Sequence, residues 1–347
     1  MTLVVDHLAE LTGFRDRDVL DVMLVSALRD LMRPLSLGIY RVVGDAKRQH
    51  WLTRARIGEH DTAAAADPLW SELEDLPAID ACPERATCLR EERLVEHASA
   101  AAGEPTRLLF PIVSEHEAAG VLEIETVAPM PEEQRRTVQG ILRIYRNFQS
   151  LLDYSERDTL TGLLNRKTFD ECFLRLAVEA ANGLLARAQG GGRRQGTGAH
   201  VFLGVIDIDH FKRVNDTHGH LIGDEVLLLL SRQLRACFRF YDHLFRFGGE
   251  EFVVLLRCAR GDVAMDIFER LRAAVAGYTF PRVGQVTVSV GISALRGGDT
   301  PSAAFERADK ALYWAKQHGR NQVADFEALV QAGELADSSR ASDVELF

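Results

Sequence analysis

The sequence predicts an α+β protein with two domains. At 347 residues, the chain is long enough for two domains that each bury their own core. In the first 130 residues, two pairs of strand-like segments flank an irregular polar stretch, a pattern typical of one antiparallel sheet with helices. From residue 158 onward, strand-like and helix-like segments alternate. These observations predict a first domain over 1–130, a helical linker over 131–157, a second domain over 158–326 and a flexible tail over 327–347.

Composition excludes several classes of partner. A formal net charge of −10 argues against non-specific binding to nucleic acid or to an anionic membrane surface. The longest aliphatic run, Val226–Leu230, is too short to span a bilayer, and Asp6, His7 and Glu10 interrupt the region where a signal peptide would be apolar. The five cysteines are an odd number spread over both halves, which indicates reduced thiols. We therefore expect a cytoplasmic protein without nucleic-acid or membrane partners.

The first domain is predicted from alternation and proline punctuation. A helix within Leu3–Met32 ends before Pro34, and the segment Asp61–Ala102 is polar and broken by prolines, which predicts loops and short helices. Four segments around it have strand character: Leu37–Val43, His50–Ile57, Arg107–Val113 and Ala119–Val127.

This pattern resembles a GAF domain, above all in Leu109-Phe110-Pro111-Ile112-Val113 followed by Gly120-Val121-Leu122-Glu123-Ile124. The resemblance implies a pocket under the polar middle segment and an unknown small-molecule or redox input to it. Cys82 and Cys88 lie in that segment, but their spacing fits no common zinc site, so buried or inert thiols are the favoured interpretation.

The linker helix carries a narrow apolar seam. Pro131 suits a helix start, and the seam consists of Ile141, Ile144, Tyr145, Phe148, Leu151 and Leu152. Such a seam favours a coiled-coil partner, and hence a homodimer, over packing on a broad core. The alternative is an ordinary helix that lies on its own domain.

The first candidate site in the second domain is a buried strand that ends in acidic residues. Val201–Asp209 is apolar until Asp207 and Asp209, which alternation places on one side with the Ile208 carbonyl between them, an arrangement suited to a hard cation. In the turn that follows, Lys212 and unpaired N–H groups suit phosphate oxygens, and Asn215 and Asp224 suit a guanine edge. Three histidines lie nearby without a cysteine, so oxygen ligands indicate magnesium over zinc.

The second candidate site is a hairpin at Gly248-Gly249, followed by Glu250 and Glu251. Glycines suit the positive φ of such a turn, but the turn itself does not require two carboxylates. One interpretation is a solvated tip, and the other is a turn that lets a ligand approach while a carboxylate binds a metal. Further along, Lys316 and Arg320 are four residues apart and are predicted to share one helix face.

The order of elements predicts a ferredoxin-like or polymerase-palm arrangement. With these residues in this order, the domain closely resembles the GGDEF-domain diguanylate cyclases. The resemblance rests on five blocks in the right order: Asp158–Arg166, Asp207–Asp216, Gly219–Asp224, Gly248–Phe252 and Asp309–Asn321.

That resemblance implies condensation of two GTP into cyclic di-GMP and two pyrophosphates. Asp207, the Ile208 carbonyl and Glu250 would hold Mg²⁺, with Mn²⁺ as an alternative. Glu250 would also be the base for the 3′-hydroxyl, with Glu251 in support. Substrate binding would fall to Asn215, His220 and Asp224 for the nucleoside, and to Phe211, Lys212, Lys316 and Arg320 for the phosphates. Gly248 and Gly249 would allow close approach of the nucleotide.

Arg239 and Asp242 lie three residues apart, shortly before the glycines. On their own they read as an ion pair at a helix end. In the resembled family this spacing matches an inhibitory RxxD site, which implies that cyclic di-GMP acts as an allosteric inhibitor.

Two other functions compete with a regulated cyclase. A catalytically silent receptor for cyclic di-GMP or GTP is disfavoured because Asp207, Glu250 and Glu251 are all present. Another palm-type cyclase or polymerase would leave Asn215 and Asp224 without a role.

Overall fold

The computed structural model describes residues 17–45, 48–68, 71–97, 105–113, 119–188 and 200–337. The chain divides into two compact units, Met1–Ser155 and Glu156–Phe347. The part of the predicted first helix before residue 17, residues 189–199 and the part of the predicted tail after residue 337 lie outside the described residues. Within the described residues, no helix is long and apolar enough to cross a bilayer.

The N-terminal unit contains a five-stranded antiparallel sheet with strand order β2-β1-β5-β4-β3. Its elements are α1 (Arg17–Met32), β1 (Ser36–Asp45), β2 (Arg48–Gly58), α2 (Pro83–Glu91), β3 (Val95–His97), β4 (Thr106–Ile112), β5 (Gly120–Thr126) and α3 (Glu132–Glu156). The predicted antiparallel sheet is confirmed, and the short edge strand β3 is an addition, paired to β4 over three residues.

The two faces of this sheet have different cover. Alternate residues of β1, β4 and β5 pack against α1 and α3 in one apolar cluster that includes Leu24, Leu122 and Tyr145. The opposite face packs beneath α2 in a smaller cluster around Tyr40, Trp51 and Cys88.

The linker helix uses its apolar seam differently from the prediction. Ile141, Tyr145 and Leu152 pack against α1 and the sheet of their own unit, whereas Leu151 is 66% exposed. For these three residues the favoured interpretation, a partner helix, was therefore wrong, and the alternative of packing on their own domain holds. Periodicity identified the buried side of the helix but carried no information about which surface covers it.

The C-terminal unit contains a six-stranded mixed sheet with order β13-β12-β7-β9-β8-β6, in which β12–β13 and β6–β8 are parallel. Its strands are β6 (Leu164–Asn165), β7 (His200–Ile208), β8 (His243–Gly248), β9 (Glu251–Cys258), β12 (Val288–Ala294) and β13 (Val323–Asp325), with a separate pair β10 (Thr279–Phe280) and β11 (Gly284–Gln285). Its helices are α4 (Arg166–Ala188), α5 (Phe211–His218), α6 (His220–Cys237), α7 (Gly261–Gly277), α8 (Pro301–Gln317) and α9 (Phe326–Gln331).

Two features place the candidate residues. The strands β7 and β9 lie at the centre of the sheet and are buried along most of their length, and Asp207 and Glu251 are half-buried at neighbouring ends of the two strands. The chain beyond Phe326 is not a flexible tail up to residue 337, because Leu329 is buried and Asp337 forms an ion pair with Arg296 at 2.8 Å.

Candidate functional site

Four carboxylates collect at one end of the central strands. Asp207 lies near the end of β7 and pairs across the ladder with Glu251, the first residue of β9. Glu250 occupies the turn just before it, and Asp309 comes from α8. The pKa of Glu251 is raised mainly by burial. The negative charges of Asp309 and Asp207 raise it further. The negative charges of Asp207 and Asp309 thus act on Glu251 across this end of the sheet.

Lys316 forms an ion pair with Asp207. Its Nζ lies 2.8 Å from Oδ1 of Asp207, and its side chain is 31% exposed. Burial raises the pKa of Asp207 while Lys316 lowers it, and the net direction is upward. Burial and the charge of Asp207 likewise raise the pKa of Glu250. The site therefore holds more negative charge than its lysine balances, which favours a bound cation.

The residues present fit a divalent ion. Within the described residues, no three acidic, cysteine or imidazole side chains form a metal cluster by themselves. Oxygen donors at this end of the sheet include the carboxylates of Asp207 and Glu250 and the backbone carbonyl of Ile208, which would hold a divalent ion together with water or phosphate. An all-oxygen set of this kind suits magnesium, which keeps several of its ligands from water or a phosphate.

The hairpin turn lies one residue further along than the sequence suggested. Gly248 pairs with Glu251, so Gly249 and Glu250 occupy the two central positions of the turn. Gly248 has φ of 142° and Gly249 of 50°, and an added Cβ would meet no other atom at either position. Gly248 is therefore required by backbone conformation, Gly249 is favoured by it, and the two leave open space beside Glu250.

The helices after β7 bring together several predicted binding residues. Lys212, Asn215, His220 and Asp224 all lie on α5 or the first turn of α6, and each is exposed except the half-buried Asn215. The first N–H groups of α5 have no preceding carbonyl within the helix, which suits an anion.

Close packing holds these two helices in place. A Cβ on the buried Gly223 would lie 1.9 Å from Oδ1 of Asn215, so only glycine fits beneath that side chain. Phe211 is 4% exposed and its ring packs in the core, so the ring is not available for contact with a substrate.

Arg320 does not share a helix face with Lys316. Helix α8 ends at Gln317, and Arg320 has φ of 61° in the turn that follows. Its N–H donates to the carbonyl of Ala315 at 3.0 Å, which closes the helix end. The spacing argument was wrong here because His318 and Gly319 end the helix before the fourth residue.

The predicted inhibitory pair lies in one tight turn, with its two members facing different environments. Asp242 is buried, and its carboxylate accepts hydrogen bonds from the backbone N–H groups of Arg239 at 2.8 Å and Arg257 at 3.4 Å. Burial raises the pKa of Asp242 to about 6. Arg239 is exposed and contacts the Tyr241 hydroxyl. The arginine is therefore accessible to a ligand, whereas the aspartate serves the backbone.

The thiols of the N-terminal unit are not activated. Burial raises the pKa of Cys88 to about 12, and its Sγ donates toward the carbonyls of Arg93 and Leu109. Burial also raises the pKa of Cys82. Because the thiolate is the form that binds metals and reacts, this environment favours the inert interpretation of both cysteines.

Comparison with known proteins agrees with the geometry of the C-terminal unit. Residues 155–322 match the family profile described as "Diguanylate cyclase, GGDEF domain". This segment is a GGDEF domain. The prediction of this domain from its five sequence blocks is therefore confirmed.

Named relatives of the GGDEF domain include cyclases of two bacteria. The chain is 45% identical over 169 residues to diguanylate cyclase DgcP of Pseudomonas aeruginosa, which covers 48% of this chain and 23% of that protein. It is 39% identical over 186 residues to diguanylate cyclase DgcM of Escherichia coli, covering 54% and 42%. The chain thus spans about a quarter to less than a half of these two relatives. A crystal structure of the coiled coil and GGDEF domain of DgcB from Caulobacter crescentus, in complex with c-di-GMP, is 28% identical, with a TM-score of 0.47 and coverage of 56% of this chain and 97% of that one.

Two structural residues of the GGDEF domain escaped the sequence argument. Arg246 donates from Nη1 to Asp158 at 3.0 Å and from Nη2 to the carbonyl of Gly249 at 2.9 Å, so it ties the first motif to the acidic turn. Hydrogen bonds from Thr161 and the charge of Arg246 outweigh the effect of burial and lower the pKa of Asp158. The contact joins residues 88 positions apart, and only the shared occurrence of both motifs could have suggested it.

The second structural residue is Asp209. It was considered a possible metal ligand, but its carboxylate is 6% exposed and accepts from Thr287 Oγ1, from Ser289 Oγ and from the backbone N–H of Asn321. Asp209 therefore fixes β12 and the turn after α8, leaving Asp207 for the ligand.

Proposed function

We propose that this chain is a diguanylate cyclase that joins two GTP into cyclic di-GMP and releases two pyrophosphates. The observation that carries the proposal is that Asp207 pairs with Glu251 at adjacent strand ends, next to Glu250 in the turn and with Lys316 on Asp207, inside the GGDEF domain. In each half-reaction, the 3′-oxygen of one GTP bonds to the α-phosphorus of the other, and the pyrophosphate leaves with the electrons of the broken P–O bond. The 3′-hydroxyl proton goes to a base.

Asp207, Glu250 and the Ile208 carbonyl are the proposed ligands of Mg²⁺, or of Mn²⁺ in its place. Bound there, the ion would neutralise charge that develops on the phosphate oxygens. Glu250 is also the proposed base, and its raised pKa brings it nearer to the working pH than an ordinary glutamate. Glu251 supports the charge balance of the cluster.

Substrate binding is assigned to both ends of the site. Asn215, His220 and Asp224 would bind the nucleoside, and the N–H of Phe211 with Lys212, Lys316 and Arg320 would bind the phosphates. Gly248 and Gly249 present no side chain, so a nucleotide can approach the backbone.

The remaining expectations concern regulation. Because one site holds one GTP, two GGDEF domains must meet, and we propose a homodimer whose contacts include the exposed apolar residues Ile144 and Leu151 of α3. The division into a GAF-like sensor (1–130), a linker (131–157) and a cyclase domain (158–326) gives the N-terminal unit the role of receiving the input. Product inhibition through Arg239 and Asp242 predicts that Arg239→Ala loses binding of cyclic di-GMP in calorimetry.

The test is an assay of purified chain with GTP and Mg²⁺ over a range of protein concentrations. We expect cyclic di-GMP at a rate per molecule that rises with concentration, as a reaction between two half-sites requires. Binding of GTP without product at every concentration would instead identify a silent receptor.

A further inference from the structure

A cavity of about 580 Å³ lies in the N-terminal unit, on the sheet face that is covered by α3. One wall is a single face of that helix, with Arg136, Gly140, Arg143 and Arg146 along it. The opposite wall comes from the end of β4 and from the segment between α2 and β3. Its size falls within the range of about 300–1,000 Å³ that small-molecule sites occupy.

The cavity is strongly basic on an acidic chain. Four arginines line it, the three on α3 together with Arg93, and Glu92 is the one acidic lining residue. The chain as a whole carries a formal net charge of −10. A local excess of positive charge against that background attracts anions and orients them in the cavity.

Two of the four arginines form ion pairs with glutamates, and the other two, Arg143 and Arg146, do not form one within the described part of the chain. Arg93 pairs with Glu91 at 2.5 Å, and Arg136 pairs with Glu132 at 3.3 Å. Arg143 and Arg146 are exposed and form no ion pair with any residue in the described part of the chain. They are three residues apart on one helix, so their side chains are neighbours. The planar fork of arginine matches carboxylate and phosphate oxygens two at a time.

The rest of the cavity suits the body of an organic molecule. Leu94, Phe110, Pro111 and Leu142 contribute its apolar lining. A Cβ built on Gly140 would meet no atom within 4 Å, so the middle of the helix wall is open. The cavity thus combines an apolar lining with the two neighbouring guanidinium groups of Arg143 and Arg146.

We propose that this cavity binds a small organic anion, with phosphate or carboxylate groups on Arg143 and Arg146 and its body against the apolar lining. The helix that forms the wall ends at Glu156, next to the start of the GGDEF domain, so a ligand here contacts the segment that precedes that domain. The site gives a chemical class to the input that the N-terminal unit is proposed to receive. Its test by direct binding is independent of whether the chain makes cyclic di-GMP.

The experiment is calorimetric titration of the full chain, without Mg²⁺, with three probes: inorganic phosphate, citrate and AMP. We expect at least one to bind, and the double variant Arg143→Gln/Arg146→Gln to weaken that binding at least tenfold. The matched control is Arg48→Gln, since Arg48 is 76% exposed on the hairpin at the far edge of the same sheet, and it should change affinity less than twofold. Binding of phosphate and AMP but not citrate would identify a phosphorylated ligand, and the reverse would identify a carboxylate.

A second variant tests the cavity without changing its charge. Gly140→Phe should fill the open space and abolish binding, while unchanged far-ultraviolet circular dichroism shows that the fold is intact. The proposal is overturned if none of the three probes binds, if the double arginine variant binds like the Arg48→Gln control, or if folded Gly140→Phe binds like the unmodified chain.

Discussion

Removing the guanidinium of Arg246 should weaken both the stability and the activity of the C-terminal unit. Arg246 contacts both carboxylate oxygens of Asp158 at 3.0 and 3.2 Å and the carbonyl of Gly249 at 2.9 and 3.2 Å. The side chains of the ion pair are only 12% and 23% exposed. Hydrogen bonds to charged groups are worth about 1.5–3 kcal/mol. Because water can partly rehydrate Asp158, we expect Arg246→Ala to lower the free energy of unfolding by about 2–3 kcal/mol.

Arg246→Ala should also slow catalysis, because Arg246 anchors the turn that carries Glu250. Gly249 precedes Glu250, so loss of its anchor lets the turn shift, and a displacement of about 1 Å can cost about 100-fold in rate. Urea denaturation and cyclic di-GMP production measure the two effects. The matched control is Arg260→Ala, which removes an arginine–aspartate pair at 2.6 Å whose side chains are 72% and 61% exposed. Because water screens the charges of such an exposed pair, its loss should lower stability much less than the loss of Arg246. Equal losses in the two variants would refute the reasoning.

Three further changes test other parts of the structure. Gly140→Ala should raise the free energy of unfolding of the N-terminal unit by about 0.5–1 kcal/mol in urea denaturation. Alanine favours the helix, and its Cβ would meet no other atom. A lower free energy of unfolding would show that the space beside Gly140 is not open. Asp209→Ala should cost about 3 kcal/mol or more, since it leaves three hydrogen-bond donors without their acceptor, and a loss under 1 kcal/mol would contradict the assigned contacts. For Asp242, a folded pKa of about 6 against 3.8 means that only the folded chain keeps the proton between those values, so stability falls as pH rises through that window and levels off above it. Asp242→Asn should remove about 2–3 kcal/mol of this pH dependence in denaturation at pH 4 and pH 7; an unchanged pH dependence would mean that the carboxyl is not perturbed.

Sequence patterns predicted the parts of the fold that depend on local spacing. The buried run ending at Asp207 and the two glycines before Glu250 each indicated their element, and the structure places both at the ends of central strands. Strand alternation also predicted the N-terminal sheet. It missed β3, because three residues are too few to show a period.

What the sequence left open depends on long-range contacts. Arg246 meets Asp158 and Asp209 meets Ser289 only after the sheet has formed. The face of α3 illustrates the same limit. Tyr145 was correctly predicted as part of an apolar seam, but its hydroxyl accepts from Arg41 and Gln149 inside its own unit. A helical period cannot distinguish this buried network from a dimer contact.

The most direct test of the central claim is the product that Glu250→Gln makes from GTP and Mg²⁺, compared with the unmodified chain and with Glu269→Gln. Glu269 lies on α7 and is exposed, so its variant controls for the loss of a carboxylate elsewhere on the domain. The account predicts one cyclic di-GMP for every two pyrophosphates from the unmodified chain and from Glu269→Gln, and a rate at least 100-fold lower from Glu250→Gln. Equal rates from all three proteins would contradict the assignment of the acidic turn as the catalytic centre.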